Sequence, residues 1–335
     1  MVRGCIKKSS DGRIGKKEIM FKWEKKGVIF SPSKNSNWMD SYSQCPYTVL
    51  FEKFIRIYFS TRDKKDSNNQ FKSYSGYIDV DRSDPKKVLN VCEEPIVELG
   101  GLGEFDEFGS MAGSVILHNN VYFLYYCGWQ RSLSTPYNWA IGLAKSVDGK
   151  KFKKISSGPI LGPTSNEPFL QACPIVYKLS DSNWHMYYLS GTKWIKSKNG
   201  KKESQYLLMH ATSNNGIDWK RNGIPILETS VHLECQTSCS IIKFKGLYHM
   251  FFSYRHGLEF RENNSKGYRI GYAQSDDMIN WSRDDKKSGI DVSTSGWDSE
   301  MVAYPHVANV DGKILMFYCG NHFGKNGFGY AELKI

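Results

Sequence analysis

No run in the 335-residue chain approaches the roughly 18 consecutive apolar positions that a membrane-crossing helix needs, so membrane insertion is not expected. Residues Met1 to Lys17 carry positive charge without an apolar stretch behind it, and they do not read as a secretory signal. The eight cysteines contain no Cys-x-x-Cys, and Cys235 and Cys239, the one close pair, have no second half-site, so a metal centre is not expected. A missing export signal together with unpaired thiols predicts reduced, buried cysteines and a cytoplasmic protein. There is no glycine-rich phosphate loop between strand and helix, no His-Glu-x-x-His and no Gly-x-Ser-x-Gly elbow. These absences remove the usual signatures of dinucleotide, P-loop, zinc-protease and α/β-hydrolase chemistry, and no cofactor is expected. The net charge of +11 is scattered through turn-like segments such as Lys150 to Lys154 and Lys196 to Lys202. Nucleic-acid binding would gather it on one face, so nucleic acid is not an expected partner. Solvated loops, a polyanionic partner or an anionic substrate all fit the excess.

What the chain does contain is a repeat. A small residue or proline, an apolar strand, a turn and an aromatic-ended strand recur from Pro46 to Phe59, Gly113 to Tyr126, Pro174 to Tyr188, Cys239 to Phe252 and Pro305 to Tyr318. Turn residues such as Asn119-Asn120, Lys245-Gly246 and Asp311-Gly312 fall in the middle, as hairpins require. A second block follows, with Ser146, Ser213 and Ser275 each trailed six residues later by Phe152, Trp219 and Trp281. This predicts a third strand, a turn and a fourth strand. The last unit ends after its third strand, and the missing fourth appears at the N-terminus, where Trp23 to Phe30 matches Trp219 to Ile226. The expected fold is therefore all-β: one domain over 1–335, a five-bladed β-propeller with four antiparallel strands per blade, its N-terminal strand completing the last blade. The blades fall at about 40–95, 106–162, 167–228, 234–290, and 298–335 plus 18–31. The longest insertions, Asp63 to Ser75, Thr192 to Ser204 and Gly257 to Lys266, are expected to form a rim or lid.

Three phrases, Gly296-Trp-Asp-Ser-Glu-Met-Val-Ala-Tyr-Pro-His306, Phe105-Asp-Glu-Phe-Gly109 and Ser213-Asn-Asn-Gly-Ile-Asp-Trp219, resemble the five-bladed propeller glycoside hydrolases, the superfamily of families 32, 43, 62, 68 and 130. The resemblance spans the chain as repeat grammar and implies a carbohydrate-active enzyme working in the central funnel. It also has a departure. Arabinanase-like members place a catalytic Asp directly before the first-blade proline, where this chain has Cys45. The equivalent later positions are Ala112, Cys173, Ser238 and Tyr304, so the family's usual acid and base are not carried over.

Acids stand slightly upstream instead: Asp40, Asp106, Glu167, Glu234, Asp298 and Glu300. Glycoside cleavage needs a protonated carboxyl for the leaving oxygen and an ionised one to activate water or to attack. Asp106 and Glu234 are the expected catalytic pair, with Asp40 and Glu300 as further candidates. An acid present in nearly every blade reads equally as a turn residue that serves the fold. Residues just past the second strands break the repeat: Arg62, Trp129, Arg255 and Asn321. Arg62 and Arg255 occupy matched positions and would fork a carboxylate or phosphate, His256 and His306 would add donors, and Trp129 and Trp194 would stack on sugar. A carbohydrate substrate, acidic or phosphorylated, follows, and inorganic phosphate would suit the arginines equally, as in a family 130 phosphorylase. A glycan-binding scaffold without catalysis and a glycosyltransferase of cytoplasmic glycan assembly remain alternatives. Oligomeric state is not written in the sequence.

Overall fold

The computed structural model describes residues 20–32 and 36–334. Met1 to Ile19, which hold the Met1–Lys17 segment, Cys5 and the first positions of the expected last blade, lie outside the described residues. The fold is nearly all β. Strands follow one another as antiparallel meanders: β2 (Ser41–Leu50), β3 (Phe54–Arg62), β4 (Ser73–Asp81) and β5 (Val88–Val91); then β6 (Gly109–His118), β7 (Val121–Gln130), β8 (Asn138–Ser146) and β9 (Lys153–Lys154). Next come β10 (Gln171–Ser180), β11 (Asn183–Lys196), β12 (Lys202–Ser213) and β13 (Lys220–Arg221), followed by β14 (Cys235–Phe244), β15 (Leu247–Arg255), β16 (Arg269–Ser275) and β17 (Ser282–Arg283). The last meander has β18 (Ala303–Val310), β19 (Lys313–Cys319) and β20 (Phe328–Leu333), and its outer strand is β1 (Trp23–Phe30). A single parallel bridge, Ser73 to Gly109, joins the first two meanders. The first strands neighbour one another in sequence, β2 with β6, β6 with β10, β10 with β14 and β14 with β18, and β18 returns to β2.

Local chemistry explains the hairpins. Asn119 and Asn120, Lys245 and Gly246, and Asp311 and Gly312 all have positive φ at both central positions. That is the turn whose twist matches a two-residue hairpin. The recurring serine ends each third strand: Ser146, Ser213 and Ser275 accept from the backbone N–H groups two and three residues on, which folds the chain back. The same turns latch neighbouring meanders. Tyr58 donates to Gly149 O at 2.7 Å, Tyr125 to Gly216 O at 2.8 Å and Tyr187 to Met278 O at 2.6 Å. These tyrosines are almost fully buried, and each hydroxyl finds its acceptor in the next unit.

Every first strand also carries a register shift at one place: after Gln44, Ala112, Ala172, Thr237 and Ala303. Cys45, Cys173, Ser238 and Tyr304 sit there with φ between 41° and 56°. A bulge of this kind bends the strand and re-aims a side chain, here toward the interior. One expectation needs correction. Thr192 to Ser204 is not a loop, because β11 and β12 stay paired out to Lys196 and Lys202 and only a short turn joins them. The insertion is a stiff hairpin arm.

Candidate active site

Above the bulges lies a cavity of about 780 Å³ whose walls come from several meanders. Its lining includes Arg62 at the end of β3, Phe71 ahead of β4, Trp129 at the end of β7, Tyr137 beyond it, Lys201 and Tyr206 from the β11–β12 arm, Phe260 and Arg261 in the loop after β15, and Glu300 ahead of β18. Of the eleven site residues expected from sequence, Arg62, Trp129, Arg255 and Glu300 line it. The other seven do not, although Trp194 packs 5.3 Å from the lining Tyr137.

Asp106 and Glu234, expected as the catalytic pair, are fully buried inside their own meanders rather than facing the cavity. Asp106 accepts from the Tyr126 hydroxyl at 2.9 Å and pairs with Lys154 at 2.7 Å. Glu167 repeats the pattern with Tyr188 and Arg221, and Asp298 with Tyr318 and Lys25. Glu234 accepts from Ser230 N, Val231 N and Gln236 Nε2, and pairs with Arg283 at 2.6 Å. In each case an acid entering the first strand is clasped by a cation on the outermost strand. The signal was in the sequence: each cation stands two residues after the aromatic that opens its strand, as Trp23-Glu-Lys25, Phe152-Lys-Lys154, Trp219-Lys-Arg221 and Trp281-Ser-Arg283. In the last meander the clasp ties the N-terminal strand β1 to the C-terminal unit.

The remaining expected residues take other places. Asp40 lies outside the cavity, with its N–H on Arg62 O at 2.9 Å. His256 backs the wall, its carbonyl accepting from Arg255 Nη1 at 2.7 Å, and burial lowers its pKa. Asn321 spends its side chain on the protein, its oxygen accepting from Glu300 N at 2.8 Å and Met301 N at 3.3 Å and its amide donating to Gly296 O at 3.0 Å. His306 lines a narrow axial hollow of about 40 Å³ beneath the cavity, with Cys45, Cys173 and Ser238. It bonds Thr48 Oγ1 at 2.9 Å, and burial pulls its pKa down to about 3. In that hollow a hydrogen bond from Cys45 brings the Cys173 thiol down to about 7, while the Cys45 thiol is pushed well up.

Glu300 is held by geometry rather than by an ion clasp. Asn321 pins its backbone, and its Oε2 lies 3.6 Å from His322 Nε2. The turn Asn321–Gly324 is left-handed: His322 and Phe323 have φ of 54° and 62° before Gly324 at 80°. Two such non-glycine residues cost on the order of 1–2 kcal/mol each. Gln44 donates to Phe323 O at 2.7 Å, and the Phe323 ring meets Phe260 and Tyr268 edge-on, which over-determines the turn and fixes His322 beside Glu300.

The cavity cations divide into paired and unpaired. Arg131 is held by Asp66 at 2.9 Å, and Arg261 and Lys201 share Glu203. The Arg62 guanidinium has no hydrogen-bond or ion-pair partner among the described residues and lies over Tyr42 at 4.2 Å and Phe71 at 5.3 Å. Burial, with a contribution from nearby Arg261, pushes its pKa below the usual value. Arg255 is 4% exposed, donates only to His256 O and the Tyr206 hydroxyl, and leaves Nε unbonded. Its guanidinium stacks at 3.5 Å on Phe260, and Arg261 lies 4.6 Å from the same ring. Cation–π contacts return about 0.5–2 kcal/mol each, less than the several kcal/mol that a buried charge without a counter-ion costs. Arg131, Arg261, Tyr206 and Tyr268 went unseen in the sequence because they lie outside the repeat's matched positions, where register carries no directional information.

The fold is shared with solved glycoside hydrolases of propeller type. One solved glycoside hydrolase superposes with a TM-score of 0.71 at 16% identity, covering 94% of this chain and 92% of that one. No family model matches the chain. Uncharacterized protein Rv1502 of Mycobacterium tuberculosis (strain ATCC 25618 / H37Rv) is 32% identical over 315 residues, 93% of this chain and 99% of that protein, and the chain belongs to its family. A 1,2-beta-oligomannan phosphorylase of Thermoanaerobacter sp. (strain X514) is 26% identical over 172 residues, 50% of this chain and 53% of that enzyme.

Proposed function

We propose that the chain is a five-bladed propeller enzyme that cleaves or transfers a glycosyl unit in the central cavity, with Glu300 as its proton donor. One observation carries this reading: among the described residues lining the cavity, Glu300 is the one carboxylate. Hydrolysis by paired carboxyls needs two acids about 5–9.5 Å apart across one pocket. A single acid suffices where the attacking group arrives already anionic, because no base is then needed to activate it. Glu300 would protonate the leaving oxygen, and Asn321 and His322 act as positioning residues that hold it. Tyr137 and Trp139, stacked at 4.3 Å, offer an aromatic face for the apolar side of a sugar ring. Support comes from the propeller-type glycoside hydrolases sharing the fold and from the partial likeness to an oligomannan phosphorylase. The clasped acids Asp106, Glu167, Glu234 and Asp298 hold the blades in this reading. Asp40 has no part in the chemistry.

The test is a screen of the purified chain against oligosaccharides, glycosyl phosphates and sugar nucleotides, with and without phosphate, followed by Glu300→Gln. Loss of general acid catalysis should lower kcat about 10²–10⁴-fold. Activity should be largely retained on a nitrophenyl glycoside, whose leaving group needs no proton. Wild-type turnover of the natural substrate by a folded Glu300→Gln protein would end the assignment.

A further inference from the structure

We propose that Cys45 and Cys173 form a redox site on the floor of the cavity, where hydrogen peroxide oxidises Cys173 to a sulfenic acid that Cys45 resolves to a disulfide. The inference stands on the fold and the axial hollow and is independent of the chemistry assigned to Glu300.

The two thiols meet by way of the whole fold. They occupy the same bulge in β2 and β10, with φ of 54° and 51°, and each bulge turns its side chain to the axis. They belong to the first and third meanders, so no local turn joins them. Five of the seven described cysteines are buried, and Cys45 and Cys173 are the two that keep open surface. Both line the axial hollow of about 40 Å³, together with Ser238 from the matching bulge of β14. Met111 and Tyr304 line the hollow and the cavity alike, so the two spaces adjoin. Cys45 donates a hydrogen bond to the Cys173 sulfur, and the Ser238 hydroxyl stands 4.0 Å from Cys45 Sγ.

That hydrogen bond assigns the roles. The sulfur that accepts it is the better thiolate, and the Cys173 thiol falls to about 7 while Cys45 holds its proton. Thiolate is the nucleophilic form, and an accessible one beside a second thiol is the arrangement that oxidation selects. The five buried thiols are pushed up by burial and stay protonated near neutral pH. In the first step the Cys173 thiolate attacks one peroxide oxygen. The S–O bond forms, the O–O bond breaks, and the departing hydroxide takes up a proton to leave as water. In the second step the Cys45 sulfur attacks the Cys173 sulfur. The S–S bond forms, the S–O bond breaks, and the hydroxyl leaves as water with the Cys45 proton. The pair of thiols loses two electrons, and the peroxide gains them. Size selects the oxidant. A water molecule needs about 10–15 Å³ of such space, so a hollow of about 40 Å³ admits hydrogen peroxide but neither an aryl hydroperoxide nor a tripeptide disulfide.

Peptide mapping by mass spectrometry of the reduced, purified full chain tests the site. Hydrogen peroxide should produce a Cys45–Cys173 cross-link that dithiothreitol reverses. Cumene hydroperoxide or oxidised glutathione should produce it at least about tenfold more slowly. Ser238 shows that this bulge accepts serine, at φ 41°, so Cys45→Ser and Cys173→Ser should fold normally. Cys45→Ser keeps a donor for Cys173 but has no resolving sulfur, and peroxide should then leave a sulfenic acid at Cys173 that dimedone captures. Cys173→Ser should leave Cys45 oxidised about tenfold or more slowly than Cys173 is in the wild type, because the Cys45 thiol keeps its proton. Glu300→Gln should cross-link at the wild-type rate, so the two assignments fail separately. Absence of the cross-link, oxidation spread over the other cysteines of the native chain, equal rates with the bulky oxidants, or no dimedone adduct on folded Cys45→Ser overturns the proposal.

Discussion

Glu234→Ala is expected to destabilise the protein by about 3–5 kcal/mol, the usual cost of stripping the partner from a buried charge. Glu234 is fully buried and gathers five donors: Ser230 N at 2.7 Å, Ser230 Oγ at 3.1 Å, Val231 N at 3.0 Å, Gln236 Nε2 at 2.7 Å and Arg283 Nη1 at 2.6 Å. Alanine removes the acceptor for all of them at once. Arg283 keeps Asp285 at 2.7 Å, which spares part of its charge, but the half-exposed 230–231 N–H groups exchange their acceptor for water and the turn they close loses its tie. For a chain of this length the loss corresponds to a midpoint lower by about 4–7 °C. Chemical denaturation of wild type, Glu234→Ala and Glu234→Ala/Arg283→Met measures it. Removing the stranded cation as well should recover part of the deficit.

The same variant separates a clasp from a catalyst. Where Glu234 only ties the fourth strand of its meander to the first, folded Glu234→Ala below its midpoint should keep kcat within about threefold of wild type, because no interaction with a transition state has been removed. A variant of unchanged stability with kcat reduced a hundredfold would return Glu234 to the chemistry.

Legibility in the sequence followed the physical constraint on each residue. Hairpin spacing showed because turn residues with positive φ recur at fixed offsets, as in Asn119-Asn120 and Asp311-Gly312. The pairing of β1 with β20 showed because Trp23 must fill the role of Trp219: its ring is buried, with Nε1 on Ser288 O at 2.9 Å, and Lys25 repeats the clasp of Arg221. The candidate site was only half legible. Arg62, Trp129 and Arg255 were singled out because strand exits are matched positions, and they line the cavity, whereas Arg261 stands beyond those positions. Glu300 was named and lines the cavity, whereas Asp106 and Glu234 lie off it for a physical reason. Proximity to a strand entry says that an acid is near the axis but not which way it points. The deciding information was the distant aromatic-x-cation motif that turns Asp106 inward to Lys154.

Stability should also fall as the solution is acidified from pH 6.5 to 4.5, and His306 should account for a large share. His306 is 8% exposed, packs 4.3 Å from the Tyr47 ring, bonds Thr48 Oγ1, and has no carboxylate partner to welcome a proton. Burial holds its pKa at about 3 against an ordinary 6.5. The sign follows directly. Below pH 6.5 the unfolded chain takes up a proton at this residue and the native chain does not, so the native state's advantage is complete above 6.5 and drains away as pH approaches 3. Each pH unit is worth about 1.4 kcal/mol, so this one imidazole contributes on the order of 2–3 kcal/mol of lost stability by pH 4.5. Burial also lowers His185, His210 and His249, so wild type should lose more than His306 alone supplies. Urea denaturation at steps from pH 7.5 to 4.5 should give a steep slope for wild type and a shallower one for His306→Gln, which keeps a neutral polar group near Thr48 but cannot titrate. Carboxylates are the same in both proteins, so their contribution cancels in the difference between the two slopes. Parallel slopes for the two proteins would mean that His306 accepts its proton in the folded state, through a hollow open to water from the cavity above.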